Sequence, residues 1–322
     1  MMREIKSLGK PELKPWLGLR RIKARVASPG DFVVEEIASD KLNFQGRHAI
    51  FLLTKRNRTT LDVIKEICSK TGVSMKEIGF CGMKDKHAVT KQYISIQRSD
   101  DVSLFENLKL KNASLKFIRF GPRLYLGDLK GNRFKITLRP ECTYSDKFLR
   151  KLLEKFKRGV EERGIPNYFG YQRFGSKLNN HVLGYRLIKG DYLPKKSRRE
   201  LKLYLHALQS FCFNEVLKRY VSEHDKPYWR RVRLIGYDTK LGKGIFDRYY
   251  RALLKHISLT CNELHVPWLK LTAREGWRKA FVKPKGFEYS IADEKIILRF
   301  ELPPGSYATA LLNEIIFKIL IG

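Results

Sequence analysis

The chain has 322 residues, 43% of them hydrophobic, and carries 65 Lys and Arg against 33 Asp and Glu, a formal net charge of +32. This length and composition predict a globular protein of one large or two modest domains. So basic a surface repels itself unless a polyanion is near, which points to a nucleic acid or an anionic membrane as partner. No apolar run reaches the length of a membrane span, and residues 1–10 lack the apolar stretch of a signal peptide. We therefore expect a cytoplasmic protein that binds nucleic acid.

Two strands, a helix and a third strand are predicted in the first third of the chain. Asp31–Ile37 and His48–Thr54 are apolar runs of strand length, bounded by Pro, Gly or polar residues. Thr59 begins a capping-box pattern for an amphipathic helix that ends near Gly72. Tyr93–Gln97 then alternates in the manner of a half-buried strand.

In the rest of the chain, the amino-acid composition changes near residue 176. Before it, Arg133–Arg139 alternates apolar and mainly basic side chains, and the basic face either meets phosphates or is an ordinary solvated face. Ser145–Gly159 has the apolar stripe of a helix that packs on the sheet. Beyond residue 176 come basic patches and a long helix over 201–216, and an alternating strand returns at 298–302. This order suggests a module inserted between two pieces of one sheet domain.

The cysteines and the glycine motifs exclude several classes of site. The chain has no CxxC pair, no GxxxxGK[ST] sequence and no GxGxxG sequence, so we expect no structural zinc, no disulfide framework and no nucleotide cofactor. The five cysteines are predicted to be core or near-core thiols: Cys68, Cys81, Cys142, Cys212 and Cys261.

The segment GFCGMKDKHAVT, residues 79–90, lies between the predicted helix and the third strand and is the first candidate site. Asp85 lies between Lys84 and Lys86, and a cation nearby lowers the pKa of a carboxyl and keeps it ionised, ready to act as nucleophile or base. The two glycines would let the backbone turn tightly or approach a ligand. The alternative is a polar surface turn whose charges neutralise one another, and the charge pattern alone favours that turn.

The segment PNYFGYQRFG, residues 166–175, is the second candidate. Aromatic rings stack on unpaired bases, Arg binds phosphate, and Asn or Gln bonds the Watson–Crick edge, so this mixture suits a flipped nucleotide. A core turn is the alternative. Among the 7 histidines only His87 lies in either segment, and we expect it to order the loop by hydrogen bonding. The histidines form no HxxxH or HxH pattern, so no metal site is expected.

With both segments in view, the chain resembles the TruD family of tRNA pseudouridine synthases. GMKDKHAVT at 82–90, with Gln92 after it, is similar to the catalytic signature of that family, and NYFG at 167–170, running into QRFG, is similar to its second signature. Weaker agreement at 29–34, 126–132 and 302–309 extends the resemblance over most of the chain. The Lys-rich composition and compact length favour an archaeal-type member.

The resemblance implies a role for each candidate residue. Asp85 would be the nucleophile and Lys84 would pair with it, Asn167 would position Asp85 or the uracil, Phe169 would stack on the base, and Arg173 would bind RNA backbone or brace the site. The implied substrate is a tRNA uridine, typically uridine 13, and other RNA remains open. No cofactor, no metal, no membrane and no obligatory protein partner is implied. The alternative is a non-catalytic RNA-binding protein that retains the fold.

The resemblance also implies an α+β architecture, the pseudouridine synthase fold: a mixed, mainly antiparallel sheet with flanking helices, plus an α/β insertion. We predict a discontinuous catalytic domain over 1–175 and 279–322 and a TRUD insertion domain over 176–278. One departure concerns a basic residue that family members often carry three places before Pro29. Here that position is Val26, with Lys23 and Arg25 nearby.

Overall fold

The computed structural model describes residues 8–97, 102–191 and 195–317. Within these ranges the α-helices are α1 (Thr60–Thr71), α2 (Val102–Glu106), α3 (Asp146–Arg163), α4 (Asn180–Ile188), α5 (Arg198–Glu223), α6 (Ile245–His256) and α7 (Ala308–Leu312). The strands are β1 (Ala24–Arg25), β2 (Phe32–Ala38), β3 (His48–Arg56), β4 (Ile78–Phe80), β5 (Val89–Gln97), β6 (Ala113–Gly121), β7 (Leu129–Pro140), β8 (Ile165–Pro166), β9 (Arg231–Leu234), β10 (His265–Val266), β11 (Leu271–Thr272), β12 (Gly276–Lys279), β13 (Phe281–Val282), β14 (Lys285–Ala292) and β15 (Lys295–Leu302).

The chain forms two compact units. The first unit comprises Met1–Arg20, Glu162–Lys283 and Ser306–Ile315, and the second unit comprises Arg21–Glu161, Pro284–Gly305 and Ile316–Gly322. Both units are discontinuous in sequence. The predicted division into a catalytic domain and a TRUD insertion domain assigns roles to parts of the chain, and it stays a prediction.

The second unit is built on one large sheet. Its strands follow the order β14-β15-β7-β2-β5-β3-β6, with β1 beside β7 and β4 beside β5. β2 and β5 run parallel, with Val33 opposite Val89, and the other pairs of this order run antiparallel. The predicted mixed, mainly antiparallel sheet is confirmed.

Helix α1 covers one face of this sheet and follows its sequence signals. The Thr59 hydroxyl accepts a hydrogen bond from the backbone N–H of Asp62 at 3.1 Å, and Gly72 ends the helix in the left-handed conformation at φ 74°. Both predicted ends are confirmed. The buried face of the helix joins Phe51 and Ile94 of the sheet in one apolar cluster, which fixes the position of the chain on either side of the segment 79–90.

The basic face of β7 is partly neutralised within the sheet. Arg133 forms an ion pair of 2.7 Å with Glu301, and Arg139 forms one of 2.9 Å with Asp31. Asp31 is buried, and Arg139 holds its pKa below the usual range although burial opposes this. These two arginines therefore have carboxylate partners within the sheet, and binding of phosphates by this face stays a prediction.

The first unit packs around helix α5. The predicted stripe of this helix is buried: Leu201, Leu205, Leu208, Cys212 and Val216. Three short two-stranded ribbons accompany it, pairing β8 with β13, β9 with β12 and β10 with β11. The helix and the ribbons place side chains from distant parts of the sequence next to the second signature.

The expectation for the cysteines is wrong at one position. Cys81 and Cys212 are buried and Cys68 and Cys261 are half-buried, but Cys142 is exposed. Cys142 follows the end of β7, where the chain leaves the sheet, so no apolar layer covers it. In the part of the chain that the structure describes, no helix combines the length and apolarity needed to cross a membrane.

Candidate active site

The Asp85 segment is a turn between β4 and β5 whose backbone is held at several points. Gln92 on β5 donates a hydrogen bond from Nε2 to the carbonyl of Gly82 at 2.9 Å. Thr60 at the start of α1 accepts one from the N–H of Lys84 at 3.1 Å. The Thr60 hydroxyl also donates to Gln92 Oε1 at 2.8 Å, and both side chains are buried. This network fixes the turn before any substrate arrives, as preorganised chemistry requires.

Lys84 does not pair with Asp85 as the resemblance implied. Its ammonium lies 2.7 Å from the Glu36 carboxylate, with side-chain exposures of 5% and 0%, and donates a hydrogen bond to Asn132 Oδ1 at 2.5 Å. Glu36 is on β2, and its other oxygen accepts a bond from the N–H of Tyr93 at 3.2 Å. The buried carboxylate captures the lysine because an unpaired charge there is costly. Lys84 therefore anchors the turn to the sheet.

The electrostatics of Asp85 differ from the sequence-based expectation. Burial raises the pKa of the Asp85 carboxyl above its usual value, although the charges of Lys55, Lys84 and His87 lower it. The prediction that flanking cations keep this pKa low is wrong, because loss of solvation outweighs their attraction. Lys86, the other flanking cation, is exposed, where solvent and salt screen its charge.

Lys55 was not singled out from the sequence, although a signal was present. It is 1% exposed and lies on the same face of β3 as Phe51 and Leu53 by the period of two. Its Nζ donates hydrogen bonds to the carbonyls of Asp85, at 2.8 Å, and Arg58, at 2.7 Å. A lysine in an otherwise apolar strand face could have identified it. Glu36 follows Phe32 and Val34 on β2 in the same way.

The two glycines of the segment have different surroundings, and the approach of a ligand to either of them stays a prediction. A Cβ at Gly79 would come within 2.3 Å of the Leu124 carbonyl oxygen, so this glycine permits the close approach of two backbones. A Cβ at Gly82 would find only the Lys84 ammonium at 3.7 Å. His87 is exposed, and its role in ordering the loop stays a prediction.

The second signature lies in the first unit, where Arg278 of β12 holds it. Arg278 donates from Nε to the Asn167 carbonyl at 2.8 Å, and from NH2 to Asn167 Oδ1 at 2.8 Å and the Tyr168 carbonyl at 3.2 Å. Asn167 Nδ2 donates to the Lys279 carbonyl at 3.0 Å. The Asn167 amide is thus bound on both sides to β12, which orients it and favours a positioning role over direct reading of a base.

Phe169 is fixed through both its backbone and its ring. Asn214 on α5 accepts a hydrogen bond from the Phe169 N–H at 2.8 Å and donates one to its carbonyl at 2.9 Å. The ring is 8% exposed, with the guanidinium of Arg278 at 4.1 Å from its centroid and that of Arg173 at 5.5 Å. Phe213 packs edge-on at 5.7 Å. The ring is therefore a rigid, cation-flanked surface.

Arg173 is braced within the same cluster, since its Nε donates to the Ser210 hydroxyl at 3.0 Å. Gly170, beside Phe169, permits close packing, because a Cβ there would lie 2.4 Å from the Thr309 hydroxyl. Arg278 and Asn214 were missed from the sequence. Asn214 could have been noticed as a polar residue on an otherwise apolar helix face, whereas nothing in the alternation of the short β12 distinguishes Arg278.

The structure therefore groups the predicted residues in two sets. Lys84, Asp85 and His87 share the turn of the second unit, and Asn167, Phe169 and Arg173 form one cluster in the first unit. Over residues 8–97, 102–191 and 195–317, no group of three or more His, Cys, Asp or Glu side chains could hold a metal ion.

Comparison with known proteins identifies the family. A family model described as tRNA pseudouridine synthase D (TruD) matches residues 21–195 and 224–315. The Pyrococcus furiosus protein named probable tRNA pseudouridine synthase D is 30% identical, covering 89% of this chain and 93% of that protein. The Pyrococcus abyssi protein of the same name is 30% identical, covering 98% and 99%. A crystal structure of TruD from Methanosarcina mazei has the same fold, with a TM-score of 0.72, 22% identity and 98% of each chain covered. The chain belongs to the tRNA pseudouridine synthase D (TruD) family, as its two signatures predicted.

Proposed function

We propose that this protein converts a specific uridine of tRNA to pseudouridine, with Asp85 as the nucleophile. The observation that carries the proposal is the Asp85 turn: a complete signature whose backbone is bound by Thr60, Gln92 and Lys55. The names of the relatives support tRNA as the substrate. The formal net charge of +32 favours polyanion binding that weakens as salt rises. We place the activity in the cytoplasm, with its substrate.

The proposed reaction is an isomerisation. The ionised carboxylate of Asp85 attacks the target uridine at the sugar or the base, and the bond between N1 and C1′ breaks. The uracil turns, a bond forms between C5 and C1′, and the link to Asp85 is released. C5 loses its proton to solvent and N1 gains one, so atoms balance. Only the ionised aspartate is nucleophilic, so the surrounding cations matter.

We assign the second cluster to the substrate. Phe169 offers its ring to the base, Arg173 binds RNA backbone or braces the ring, and Asn167 positions its neighbours through Arg278. The proposed target is uridine 13 of tRNA. We also assign the catalytic role to the unit that holds Asp85.

Release of label from tRNA that carries tritium at uracil C5 tests the proposal. Wild type should release label from unmodified tRNA, and Asp85→Asn should release none while its affinity for tRNA stays within about tenfold, or ~1.4 kcal/mol. Asp146→Asn is the matched control, because Asp146 lies on the exposed face of α3 and pairs with Arg150 in solvent. It should behave as wild type.

Two results would contradict the proposal. If wild type binds tRNA and releases no label, the protein is a non-catalytic RNA-binding member of the family. If Asp85→Asn keeps substantial turnover, the nucleophile is another residue. Mapping pseudouridines in tRNA from cells with and without the protein identifies the target, and loss at a position other than 13 would exclude the proposed site.

A further inference from the structure

Lys55 is a cation enclosed by the protein beside the Asp85 turn. Its side chain enters from the end of β3 and is 1% exposed. A lysine is rarely buried to this degree without partners, because its ammonium loses strong hydration. The partners here are the carbonyls of Asp85 and Arg58, at 2.8 and 2.7 Å. One bond reaches the turn and the other reaches the loop before α1, so Lys55 joins two segments that β3 alone would not connect.

The pKa of Lys55 depends on its burial and on three charged neighbours. Asp85 and Asp62 attract its ammonium, and Lys84 repels it. Burial is the largest effect and, against these attractions, lowers the pKa of Lys55 to about 8. Lys55 therefore carries a charge at neutral pH and can lose it in mildly alkaline solution, which is unusual for a lysine.

Lys84 is the weaker source of positive charge for Asp85. Its ammonium is neutralised by Glu36 at 2.7 Å, whereas Lys55 binds carbonyl oxygens, which leave its net charge in place. Lys55 is also the strongest of the charges that lower the Asp85 pKa. At Val26, where the family resemblance leads one to expect a basic residue, the side chain is apolar and 6% exposed. Of the two lysines, Lys55 on β3 therefore acts more strongly on Asp85.

We propose that Lys55 is the positioning residue of Asp85, clamping its backbone and holding its carboxylate in the ionised form. This inference rests on the proposed function, in which Asp85 is the nucleophile. Two distinct consequences follow. Without the ammonium, Asp85 should need a higher pH to ionise, and in the wild type, loss of the Lys55 proton should reduce activity on the alkaline side.

Single-turnover release of C5 tritium, measured from about pH 5 to pH 9, separates this role from simple packing. Lys55→Met keeps the length of the side chain without its charge, and should shift the acid limb of the rate profile upward by about 1–3 pH units. Lys55→Arg keeps a charge that does not titrate, and should retain the acid limb and lose the alkaline decline. Lys91→Met is the control, since Lys91 pairs with Glu35 at the surface.

The outcomes are distinguishable. A Lys55→Met protein that melts and binds tRNA as wild type does and keeps the wild-type pH profile overturns the inference, as does a rate lost equally at every pH. If Lys55→Met does not fold, Lys55→Arg decides, because an alkaline decline that persists in it overturns the inference. If wild type itself releases no label, the proposed function fails and this inference with it. If wild type releases label and the Lys55 variants give one of the contrary results, only the role of Lys55 is contradicted.

Discussion

The ammonium of Lys84 lies 2.7 Å from the carboxylate of Glu36, and both side chains are almost completely buried. The pair ties the residue before Asp85 to β2. Glu36→Gln leaves a buried ammonium without its counter-charge, so we expect the free energy of unfolding to fall by about 3–5 kcal/mol. Urea denaturation of the purified protein measures this loss.

Glu35, the neighbour of Glu36 on β2, supplies the control. It pairs with Lys91 at 2.6 Å, but the two side chains are 37% and 43% exposed. Glu35→Gln should therefore cost only about 0–1 kcal/mol. Equal losses for the two variants would mean that the buried pair adds nothing beyond an ordinary surface pair.

Local signals were sufficient for much of the fold. The ends of α1 followed from Thr59 and Gly72 because capping uses residues next to each other in sequence. The alternation at Tyr93–Gln97 also predicts part of β5 correctly, but Ser95, on the face opposite Ile94 and Ile96, is buried as well. Alternation shows which side chains share a face, but not whether the second face is covered.

The candidate site shows the same limit. Asp85 and Phe169 lie in contiguous signatures and could be identified from them. Lys55 and Asn214 stand out as polar residues on apolar faces, but the sequence does not show which residues they contact. The separation is 30 positions between Lys55 and Asp85, 45 between Asn214 and Phe169, and 111 between Arg278 and Asn167. The pairing of Lys84 with Asp85 that the resemblance implied is not formed, because the buried Glu36, distant in sequence, binds the lysine instead.

The Asp85 carboxyl should lower the free energy of unfolding by an amount that depends on pH. Its pKa is raised in the folded protein from the ordinary value of 3.8, so the folded state holds this proton more tightly than the unfolded chain. The stabilisation from that proton is fully present below the unfolded pKa and is lost as pH rises through the folded pKa. Asp85→Asn removes the cost of the buried charge and should raise the melting temperature over wild type at about pH 8.

At about pH 4 that difference should shrink, because a larger share of the wild-type carboxyl is then protonated in the folded state. Thermal melts of both proteins at the two pH values measure it. Asp146→Asn, with both partners of its ion pair well exposed, should give the same small difference at either pH. The raised pKa would be contradicted if the difference in melting temperature between Asp85→Asn and wild type were equal at the two pH values or larger at about pH 4.

Arg278 should be needed for turnover more than for tRNA affinity. Lysine cannot reproduce the two bonds of 2.8 Å that the guanidinium makes to Asn167. Arg278→Lys should lower kcat roughly 10- to 100-fold through misplacement of the second signature, with the Kd for tRNA changed less than about tenfold, ~1.4 kcal/mol. Arg274→Lys, at an exposed position four residues earlier, should leave both unchanged. An unaltered kcat in Arg278→Lys would show that the paired hydrogen bonds from the guanidinium to Asn167 are not needed for turnover.

Phe169 and Phe213 pack edge to face at 5.7 Å, and comparing them separates a base-stacking ring from a core ring. Replacing either with Leu removes the same aromatic contact, so both variants should lose about 0.5–1.5 kcal/mol of stability. Phe213 is 0% exposed and Phe169 is 8% exposed, so of these two residues only Phe169 has surface open to a ligand. Phe169→Leu alone should then lower the rate of C5 label release, by about 5- to 150-fold for a stack of roughly 1–3 kcal/mol. Equal rate losses in the two variants, tracking their stability, would instead make Phe169 a packing residue of the first unit.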